Sequence, residues 1–460
     1  MSDDEIRQLY RKGEDATVAF IMALLKELEQ LKQPGKETPS PSTPSGMRPV
    51  YSKPSKKGKS RKPGRKKGHA GVRRQKPERI DKHEQHTLEC CPDCHHSIGD
   101  SFETRIRYTE EIVTLPTEVT EHTIHRYWCV HCKKIVEPKV TAALPKATIG
   151  LKTLIFSCWL HYAQGITLEK ILQIFKGAFQ MTVSKGALVQ SWQKIAQILK
   201  PIYDDIATQA KQSAVLHIDE TGWRVCAATY WLWCFTNDKL VYFVIDRSRG
   251  SPVVKKVLGH FFQGILISDF FSAYNCLIAM AKQKCFSHLF TELAKVDIRN
   301  KSDQWKKFRK KLRRFLKDAI RIHKNIKELD EQQLANNKNQ LHKRLQEMYA
   351  QTYQDRDTKR LAKRLEKHKD ELLTFLDHPE ISHDNNHAER QLRPAVISRK
   401  NSYCNRSEKG AETQAIFMSI FRTLYLRNID PIDSLMNMVK YYLNNNQLPE
   451  HWEDSCTSYG

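Results

Sequence analysis

The strongest constraint on the fold is a change of pattern near residue 213, where helical periodicity gives way to short apolar runs. Apolar runs of about four to eight residues, bounded by turn residues, are typical of buried β-strands. Four such runs follow one another, over residues 214–219, 230–235, 240–245 and 264–269. The polar turn at 236–239 predicts a hairpin between the second and third runs, and a helix from about Ser251 leads to the fourth.

Three strands in a meander, followed by a helix and another strand, are the order expected of a ribonuclease H-like α/β sheet. Asp219 and Asp269 each end one of the apolar runs. If these two strands are neighbours, the carboxylates meet at one edge of the sheet, and a divalent cation would offset their repulsion. A turn-forming or helix-capping role is the alternative interpretation for each aspartate.

A third acid, Glu389, lies in a segment that predicts a helix capped by Asp384 or Asn385. Glu389, Arg393 and Val396 would then follow Asn385 on roughly one face, so that Glu389 reaches the metals and Arg393 a phosphate. An exposed helix with ordinary charge pairs is the alternative. Oxygen ligands suit Mg²⁺ or Mn²⁺, and two such ions can activate an attacking oxygen and stabilise the leaving one in phosphoryl transfer.

Two Cys-x-x-Cys pairs form the strongest local motif: Cys91 with Cys94, and Cys129 with Cys132. Each pair can place two thiolates on one cation, and together they complete a tetrahedral four-sulfur Zn²⁺ site. Redox-active pairs are the alternative, although two pairs within one small domain argue against it. A site with four thiolates is closed, so we expect this zinc to be structural.

The formal net charge of +24 exceeds what solubility requires and favours a polyanionic partner, nucleic acid above all. Thirteen Lys or Arg and one acid lie between residues 53 and 79. Since Pro, Ser, Thr and Gly are frequent over 33–68, we expect a flexible arm that neutralises DNA phosphates or enters a minor groove. A solvated tail is the alternative. The arm residues expected to bind DNA are Arg61, Lys62, Arg65, Lys66, Lys67, Arg73 and Arg74.

The remaining segments predict helices. Residues 4–32 carry an apolar stripe, which indicates either a short dimerising coiled coil or a helix packed on its own protein. Residues 150–210 predict helices with a break near 177–182, and Ser184 is expected to cap the helix that follows. This arrangement is typical of a helix-turn-helix motif. It is equally typical of a helical hairpin that serves packing alone. Residues 302–376 predict long basic helices.

Several short motifs occur in a fixed order along the chain. They are residues 63–69 (PGRKKGH), 217–225 (HIDETGWRV), 231–233 (WLW), 248–250 (SRG), 266–274 (LISDFFSAY), 285–288 (CFSH), 385–394 (NNHAERQLRP) and 398–401 (SRKN), with the cysteine pairs after the first. Over roughly residues 60–435 the chain thereby resembles transposases of the insertion-sequence-66 type, which belong to the large family with an Asp-Asp-Glu site.

The resemblance implies a DNA transposase that cuts element ends and joins them to target DNA. It gives Asp219, Asp269 and Glu389 the roles of ligands to two Mg²⁺ or Mn²⁺ ions, and makes 302–376 a helical insertion before the third acid. His288 would lie near the metals or, alternatively, in the core. The residues expected to contact DNA near the site are Arg393, Arg399 and Lys400.

The expected partners are double-stranded DNA, as terminal inverted repeats and as target, and further copies of the chain in a homo-oligomer on DNA. Helper proteins encoded by the element are a further expectation of the resemblance. Catalytically silent DNA binding is the alternative function, and cleavage of RNA is a third. Because no apolar run is long enough to cross a membrane and no secretory pattern opens the chain, we expect a cytoplasmic protein.

At 460 residues the chain is too long for one compact domain, so we expect a multidomain α+β protein. The expected units are an N-terminal helix (1–35), a basic linker or arm (36–79), a zinc-binding β module (80–145), a helical DNA-binding region (146–210), a ribonuclease H-like catalytic core in two parts (211–301 and 381–440), its helical insertion (302–380) and a C-terminal tail (441–460).

Overall fold

The computed structural model describes residues 117–458, and residues 80, 83, 85, 93, 95–97 and 106 before them. Helices and a five-stranded sheet make up this part of the chain, so the predicted α+β class is confirmed. Some predicted features lie outside the described residues. They are the helix over 4–32, the arm over 36–79 with Arg61, Lys62, Arg65, Lys66, Lys67, Arg73 and Arg74, and the expected zinc ligands Cys91 and Cys94.

A short hairpin and three helices precede the sheet. Strand β1 (Tyr127–Cys129) pairs antiparallel with β2 (Lys134–Val136). The helices are α1 (Leu151–Cys158), which continues as a π-helical turn over Trp159–Ala163, α2 (Leu168–Phe179) and α3 (Lys185–Lys211). Ser184 caps α3 as predicted, because its Oγ accepts a hydrogen bond from the main-chain N–H of Ala187 at 3.1 Å.

The central sheet follows, with the strand order β5-β4-β3-β6-β7. Its strands are β3 (Val215–Val225), β4 (Ala228–Thr236), β5 (Val241–Asp246), β6 (Phe261–Ser268) and β7 (Ile278–Lys284). β3, β4 and β5 form an antiparallel meander, which confirms the predicted hairpin, whereas β6 and β7 run parallel to β3. Helix α4 (Ser251–Leu258) connects β5 to β6.

A helical segment lies between β7 and the last part of the fold. It comprises α5 (Phe286–Arg299), α6 (Asp303–Lys324), α7 (Glu331–Tyr349), α8 (Arg356–Lys367) and the single turn α9 (Thr374–Asp377). Their buried side chains form an apolar core of their own that includes Trp305 and Phe315 and extends onto Ile265 and Ile267 of β6. The predicted helices over 302–376 are therefore present, packed on one face of the sheet.

The final elements are α10 (Asn386–Ser402), α11 (Glu408–Leu426), β8 (Ile429–Asp430), α12 (Pro431–Asn445) and β9 (Thr457–Ser458). α11 covers the edge strand β5. Ser419 Oγ and Thr423 Oγ1 accept hydrogen bonds from the main-chain N–H groups of Phe243 and Val241, at 2.9 and 3.0 Å. These hydroxyls satisfy amide groups that an edge strand would otherwise leave unpaired.

Successive side chains of β3 point to opposite faces of the sheet. Leu216 and Ile218 enter the main core, which they share with α1, α2, α3 and part of α11. His217 and Asp219 point to the other face, where α10 crosses. Within the described residues no helix is long and apolar enough to cross a membrane.

Candidate active site

Asp219 and Asp269 occupy equivalent positions on neighbouring strands. The last residue pair between the parallel strands β3 and β6 joins His217 with Ile267, and each aspartate lies two residues beyond that pair. Because side chains alternate along a strand, Asp219 lies on the same face of the sheet as His217, and Asp269 on the same face as Ile267. The expectation that the two carboxylates meet at one edge of this strand pair therefore agrees with the register.

The prediction that Asp219 ends its strand is wrong. β3 continues to Val225 and pairs with β4 along its whole length, with Asp219 opposite Cys234. Asp219 instead marks the point at which β3 separates from β6, because their pairing stops at His217. Asp269 does follow the last residue of its strand, Ser268, as predicted.

Helix α10 brings Glu389 to this edge. The helix begins at Asn386 after Asn385, as predicted, and the N–H of Glu389 donates to the carbonyl of Asn385 at 3.3 Å. The buried side chain of Asn385 donates from Nδ2 to the carbonyl of Ile218 at 2.7 Å, and its Oδ1 lies 3.0 Å from His217 Nδ1. The first turn of α10 is thereby fixed on the part of β3 that carries Asp219.

His387 gives α10 a second contact with the sheet. Its Nε2 lies 2.8 Å from the carbonyl of Asn237 and 3.2 Å from Thr236 Oγ1, and its ring centroid lies 5.2 Å from that of His217. Burial, followed by the repulsion of His387, outweighs the hydrogen bond of Asn385 and lowers the pKa of His217 to about 4. His217 is therefore neutral at pH 7 and adds no positive charge beside the carboxylates.

The acids of this region are close enough to affect one another's ionisation. Burial is the largest cause that raises the pKa of Asp219 well above its usual value, followed by the negative charges of Glu220, Asp269 and Glu389. Like charges held together in this way favour either a shared proton or a bound cation. The electrostatics thus join the three predicted acids and add a fourth, Glu220.

Glu220 points to the opposite face of β3 and was missed by the sequence analysis. Its Oε1 accepts hydrogen bonds from Arg249, at 2.9 Å from Nη2 and 3.2 Å from Nε, while Tyr274 donates its hydroxyl to Oε2. The Arg249 guanidinium lies 4.3 Å from the ring centroid of Trp231 and 4.4 Å from that of Phe271. These residues all fall in or beside the quoted motifs, which is the signal that could have identified them.

The Glu220 carboxyl is nine-tenths buried or more, and it keeps an ion pair there. Burial and then the charge of Asp269 raise its pKa to about 7, although Tyr274 and Arg249 act in the opposite direction. Arg249 and Tyr274 together occupy both oxygens of the Glu220 carboxyl. This carboxyl therefore lies on the face of β3 opposite to the one that carries Asp219. Its role in this arrangement is to fix the middle of β3.

Two cationic or ionisable groups lie beside Asp269. Lys284 is buried, and its Nζ donates to Ser268 Oγ and to the carbonyl of Asp269, each at 3.0 Å. Burial lowers its pKa to about 8. His288 Nε2 lies 4.0 Å from Asp269 Oδ2, and His288 Nδ1 is buried without a hydrogen-bond partner among the described residues. His288 thus lies beside Asp269, and its place near bound metals stays a prediction.

The predicted DNA contacts on α10 differ in their surroundings. Arg393 and Lys400 are exposed, as a phosphate-binding residue requires. Arg399 is half-buried, and its Nη1 donates to Thr221 Oγ1 at 3.2 Å and to the carbonyl of Gly222. Arg399 thus ties the second half of α10 to β3, a structural contact that the sequence analysis did not anticipate.

The carboxylates offer oxygen donors but do not converge on one point as they stand. Within the part of the chain that the structure describes, no three His, Cys, Asp or Glu side chains are placed to hold one metal ion. One oxygen of Asp219 accepts the N–H of Glu220 at 2.9 Å, and one oxygen of Asp269 accepts that of Phe271 at 2.8 Å. The donor chemistry fits a hard divalent cation, provided that these side chains turn toward a common centre.

Cys129 and Cys132 lie at the tip of the β1–β2 hairpin. The N–H of Cys132 donates to Cys129 Sγ at 3.4 Å, and this main-chain hydrogen bond is the largest cause that lowers the pKa of the Cys129 thiol. Main-chain N–H groups directed at a cysteine sulfur stabilise its thiolate, which is the form that binds metal. Cys129 and Cys132 thus share one hairpin turn, and their binding of zinc stays a prediction.

The chain belongs to a family of transposases. Residues 147–413, more than half of its 460 residues, match the family model described as "Transposase IS66 family". The chain is therefore a member of this family, as its motifs predicted. Membership implies an enzyme that processes DNA, and DNA as its partner.

The chain is also similar to three proteins of Sinorhizobium fredii (strain NBRC 101917 / NGR234), each described as uncharacterized. y4jD is 22% identical over 394 residues, which cover 78% of this chain and 75% of y4jD. y4qI is 25% identical over 314 residues, 60% of this chain and 56% of that protein. y4hP is 22% identical over 365 residues, with shares of 70% and 65%.

Proposed function

We propose that this transposase cleaves the ends of its element and joins them to target DNA by phosphoryl transfer at Asp219, Asp269 and Glu389. The observation that carries the proposal is the shared position of the two aspartates, each two residues beyond the last β3–β6 pair, with Glu389 held above them by α10. The mutual effect of the three acids on the pKa of Asp219 supports it further.

The topology of the sheet supports a ribonuclease H-like core. An antiparallel meander of three strands, followed through a helix by two strands parallel to the first, is the arrangement that the sequence order led us to expect. In such a core the inserted helices α6–α9 lie between the second and third acids. The insertion therefore separates Glu389 from the two aspartates in the sequence, while α10 returns Glu389 to the edge of the sheet that carries them.

In the proposed mechanism the three carboxylates would hold two Mg²⁺ or Mn²⁺ ions. Such ions activate an attacking oxygen and stabilise the leaving one. The protein's own part is to orient: Asn385 and His387 fix α10, and the Glu220–Arg249 pair fixes β3. Water as the attacking group cuts a strand, and a 3′-hydroxyl joins two strands, so one site serves both steps.

For the cysteine pairs we propose one structural Zn²⁺ held by Cys91, Cys94, Cys129 and Cys132. The hairpin turn that presents Cys129 and Cys132 together supports this assignment, since a four-thiolate site needs two such turns. A closed site of this kind holds the module together. It would support DNA binding by the arm, and it would take no part in cutting.

DNA is proposed to contact the arm and the exposed residues of α10. Arg393 and Lys400 are exposed on the helix that carries Glu389, and each can neutralise a phosphate near the site. The arm lies outside the described residues, and its part in binding rests on its composition. Assembly of several copies on DNA and a need for helper proteins remain part of the same proposal.

The alternative function, DNA binding without cutting, is favoured by one observation. No three acidic, histidine or cysteine side chains of the described residues are placed to hold an ion together. The presence of all three acids at one edge of the sheet argues for the enzyme. Both functions predict binding to element ends, so cleavage and strand transfer distinguish them.

The test measures cleavage and strand transfer of labelled terminal-repeat DNA with Mg²⁺ or Mn²⁺. Asp219→Asn, Asp269→Asn and Glu389→Gln should each lower both activities by about 100-fold or more, while end binding and far-UV circular dichroism are kept. Asp370→Asn, at an exposed aspartate of the insertion, is the matched control. Activity like the wild type's in Asp269→Ala would contradict the assignment, and a wild type that binds but never cuts would favour the alternative.

A further inference from the structure

Helix α6 has one apolar and one basic face. Its buried side chains include Trp305, Phe308 and Leu312, which enter the core of the inserted helices. The opposite side carries exposed cations along the whole helix: Lys306, Lys307, Lys310, Lys311, Arg313, Arg314, Lys317, Arg321 and Lys324. A helix of 22 residues is about 33 Å long, so this basic face is as long as about one turn of a DNA duplex.

Most of these cations have no acid beside them. Arg314 and Arg321 approach Asp318 at 3.8 and 3.5 Å, and Lys306 pairs with Asp303 at 3.0 Å. Lys307 has no ion pair of its own, but its charge helps Lys306 to lower the pKa of the exposed Asp303 carboxyl. The remaining cations form no ion pair with the described residues, and they are Lys310, Lys311, Arg313, Lys317 and Lys324. An ordinary solvated helix alternates the signs of its charges, whereas five unpaired cations on one face leave a positive potential that attracts a polyanion.

The first half of this face borders a groove of 510 Å³. Its lining is Gln304, Lys307, Phe308, Lys310, Lys311, Gln351, Thr352 and Tyr353, which includes three lysines and no acid. Lysines at positions i, i+3 and i+4 of a helix are neighbours, about 5–6 Å apart at their Cβ atoms. Three ammonium groups therefore surround one concave site that offers hydrogen-bond donors to an anion.

The floor of the groove is held in place by packing and hydrogen bonds. The rings of Phe308 and Tyr353 meet edge to face at 5.4 Å, and the Tyr353 hydroxyl donates to the carbonyl of Met348 at 2.8 Å. Gln304 Oε1 accepts the N–H of Asp355 at 2.6 Å, which fixes the loop between α7 and α8 against α6. The lysines thus extend from a rigid surface, so that binding an anion there does not require the backbone to be ordered first.

We propose that the groove and the basic face of α6, here named the α6 surface, bind the sugar-phosphate backbone of a DNA duplex independently of its sequence. Lysine ammonium groups contact phosphates as point charges, and such contacts position a duplex without reading its bases. Sequence-independent binding is what target DNA requires, because a target must be held whatever its sequence. The inference rests on the proposed function and assigns to the insertion the capture of target DNA.

The test compares the full-length protein with the variant Lys307→Ala/Lys310→Ala/Lys311→Ala. Alanine has high helix propensity and the three side chains are exposed, so α6 should stay folded. The control variant Lys256→Ala/Lys409→Ala/Lys440→Ala removes three exposed lysines from other helices and the same net charge. Fluorescence anisotropy then gives the affinity for a random-sequence duplex over a range of salt concentrations.

The groove variant should bind the random duplex more weakly, and its slope of log affinity against log salt should be smaller by about 2–3, at about 0.9 per lost phosphate contact. The control should keep the slope of the wild type. Equal slopes for wild type and groove variant would overturn the proposal. Equal losses in both variants would also overturn it, because net charge alone would then explain the binding. The same titration with duplex RNA completes the test, and a loss of affinity for RNA without a loss for DNA would contradict the proposal too.

Activity separates this inference from the proposed function. If both hold, the groove variant cuts labelled element ends at the rate of the wild type but joins fewer of them to target DNA. A wild type that never cuts would end the proposed function and leave the salt-slope comparison to decide the α6 surface. Normal cutting and normal joining in the groove variant would remove its role in target capture.

Discussion

The side-chain amide of Asn385 donates a 2.7 Å hydrogen bond to the main-chain carbonyl of Ile218, the residue before Asp219 on β3. Its other side-chain atom, Oδ1, lies 3.0 Å from Nδ1 of the neutral His217. Because α10 begins directly after Asn385, these bonds set the position of Glu389 relative to Asp219. Asn385 is thus a positioning residue for the proposed reaction, and one that does not itself touch the reacting atoms.

Asn385→Ala should lower the rate of cleavage at saturating end DNA by about 10–100-fold, because a displaced acid no longer meets its partners. The KM for end DNA should not change, since the DNA-binding surfaces are untouched. Removal of buried hydrogen bonds should also cost about 1–3 kcal/mol in the free energy of unfolding. Steady-state cleavage kinetics and chemical denaturation measure the two effects.

The matched control is Asn386→Ala, at the neighbouring asparagine, whose side chain bonds locally to Asp384. It should cleave DNA at close to the wild-type rate. A variant at Asn385 that loses stability but keeps its full cleavage rate would show that this residue serves folding alone.

Arg249 and Glu220 provide a second test. Arg249→Lys removes the two-point hydrogen bond to Glu220 and the stacking between Trp231 and Phe271, because lysine has neither a planar nor a forked head group. Breaking a buried pair costs about 3–5 kcal/mol, and since Arg249 is 24% exposed we expect a loss of about 2–3 kcal/mol. Chemical denaturation measures the free energy of unfolding.

Arg247 offers a closely matched control for that experiment. It pairs with Glu408 at 2.9 Å, but both side chains are more than two-thirds exposed, at 75% and 71%. Exposed ion pairs are screened by water and contribute little, so Arg247→Lys should change stability much less than Arg249→Lys. Similar losses in the two variants would mean that the site around Glu220 is not held together by its ion pair.

Much of the sheet could be predicted because the strands β3 to β6 consist of apolar runs bounded by turn residues. β7 was missed, since Lys282 and Lys284 interrupt its apolar pattern. Lysine is rarely buried, yet Lys284 is fully buried and bonded to Ser268 and the carbonyl of Asp269. A rule based on hydropathy cannot identify a strand whose lysine is satisfied by contacts with a distant segment.

The site was predicted only in part, because it too depends on contacts between segments that are distant in the sequence. Asp219 was expected at the end of a strand, but β3 leaves β6 there and continues beside β4, and no local pattern shows which neighbour a strand has. Glu220 was missed because its partners, Arg249 and Tyr274, are brought to it by the loop between β5 and α4 and by the 3₁₀ turn after β6. Local sequence gives the type of each residue, and tertiary contacts give its role.

The zinc assignment predicts about one Zn²⁺ per chain in the purified protein. Cys129→Ser and Cys132→Ser should each abolish this zinc, because a serine hydroxyl does not replace a thiolate in a four-sulfur site. The control is Cys226→Ser, at an exposed cysteine remote from the β1–β2 hairpin in sequence. Atomic absorption gives the metal content, and zinc retained by both hairpin variants would disprove the assignment.

Asp355 predicts how the stability of the insertion depends on pH. Burial acts to raise its pKa, but hydrogen bonds from Asn300, Thr358 and Ser302 outweigh it and lower the pKa to about 2, below the ordinary 3.8. A carboxyl whose pKa is lower in the folded state stabilises the fold above the ordinary value, and this contribution disappears as the pH falls through about 2.

Asp355→Asn should therefore be less stable than the wild type at pH 6, and the part of the difference that depends on pH, about 1 kcal/mol after allowance for solvent screening, should shrink between pH 4 and pH 2. Melting curves of both proteins over this range measure it. Asp370→Asn, at an exposed aspartate of the same insertion, should show no such convergence. A constant difference between Asp355→Asn and the wild type from pH 6 to pH 2 would show that the charge of Asp355 does not stabilise the fold.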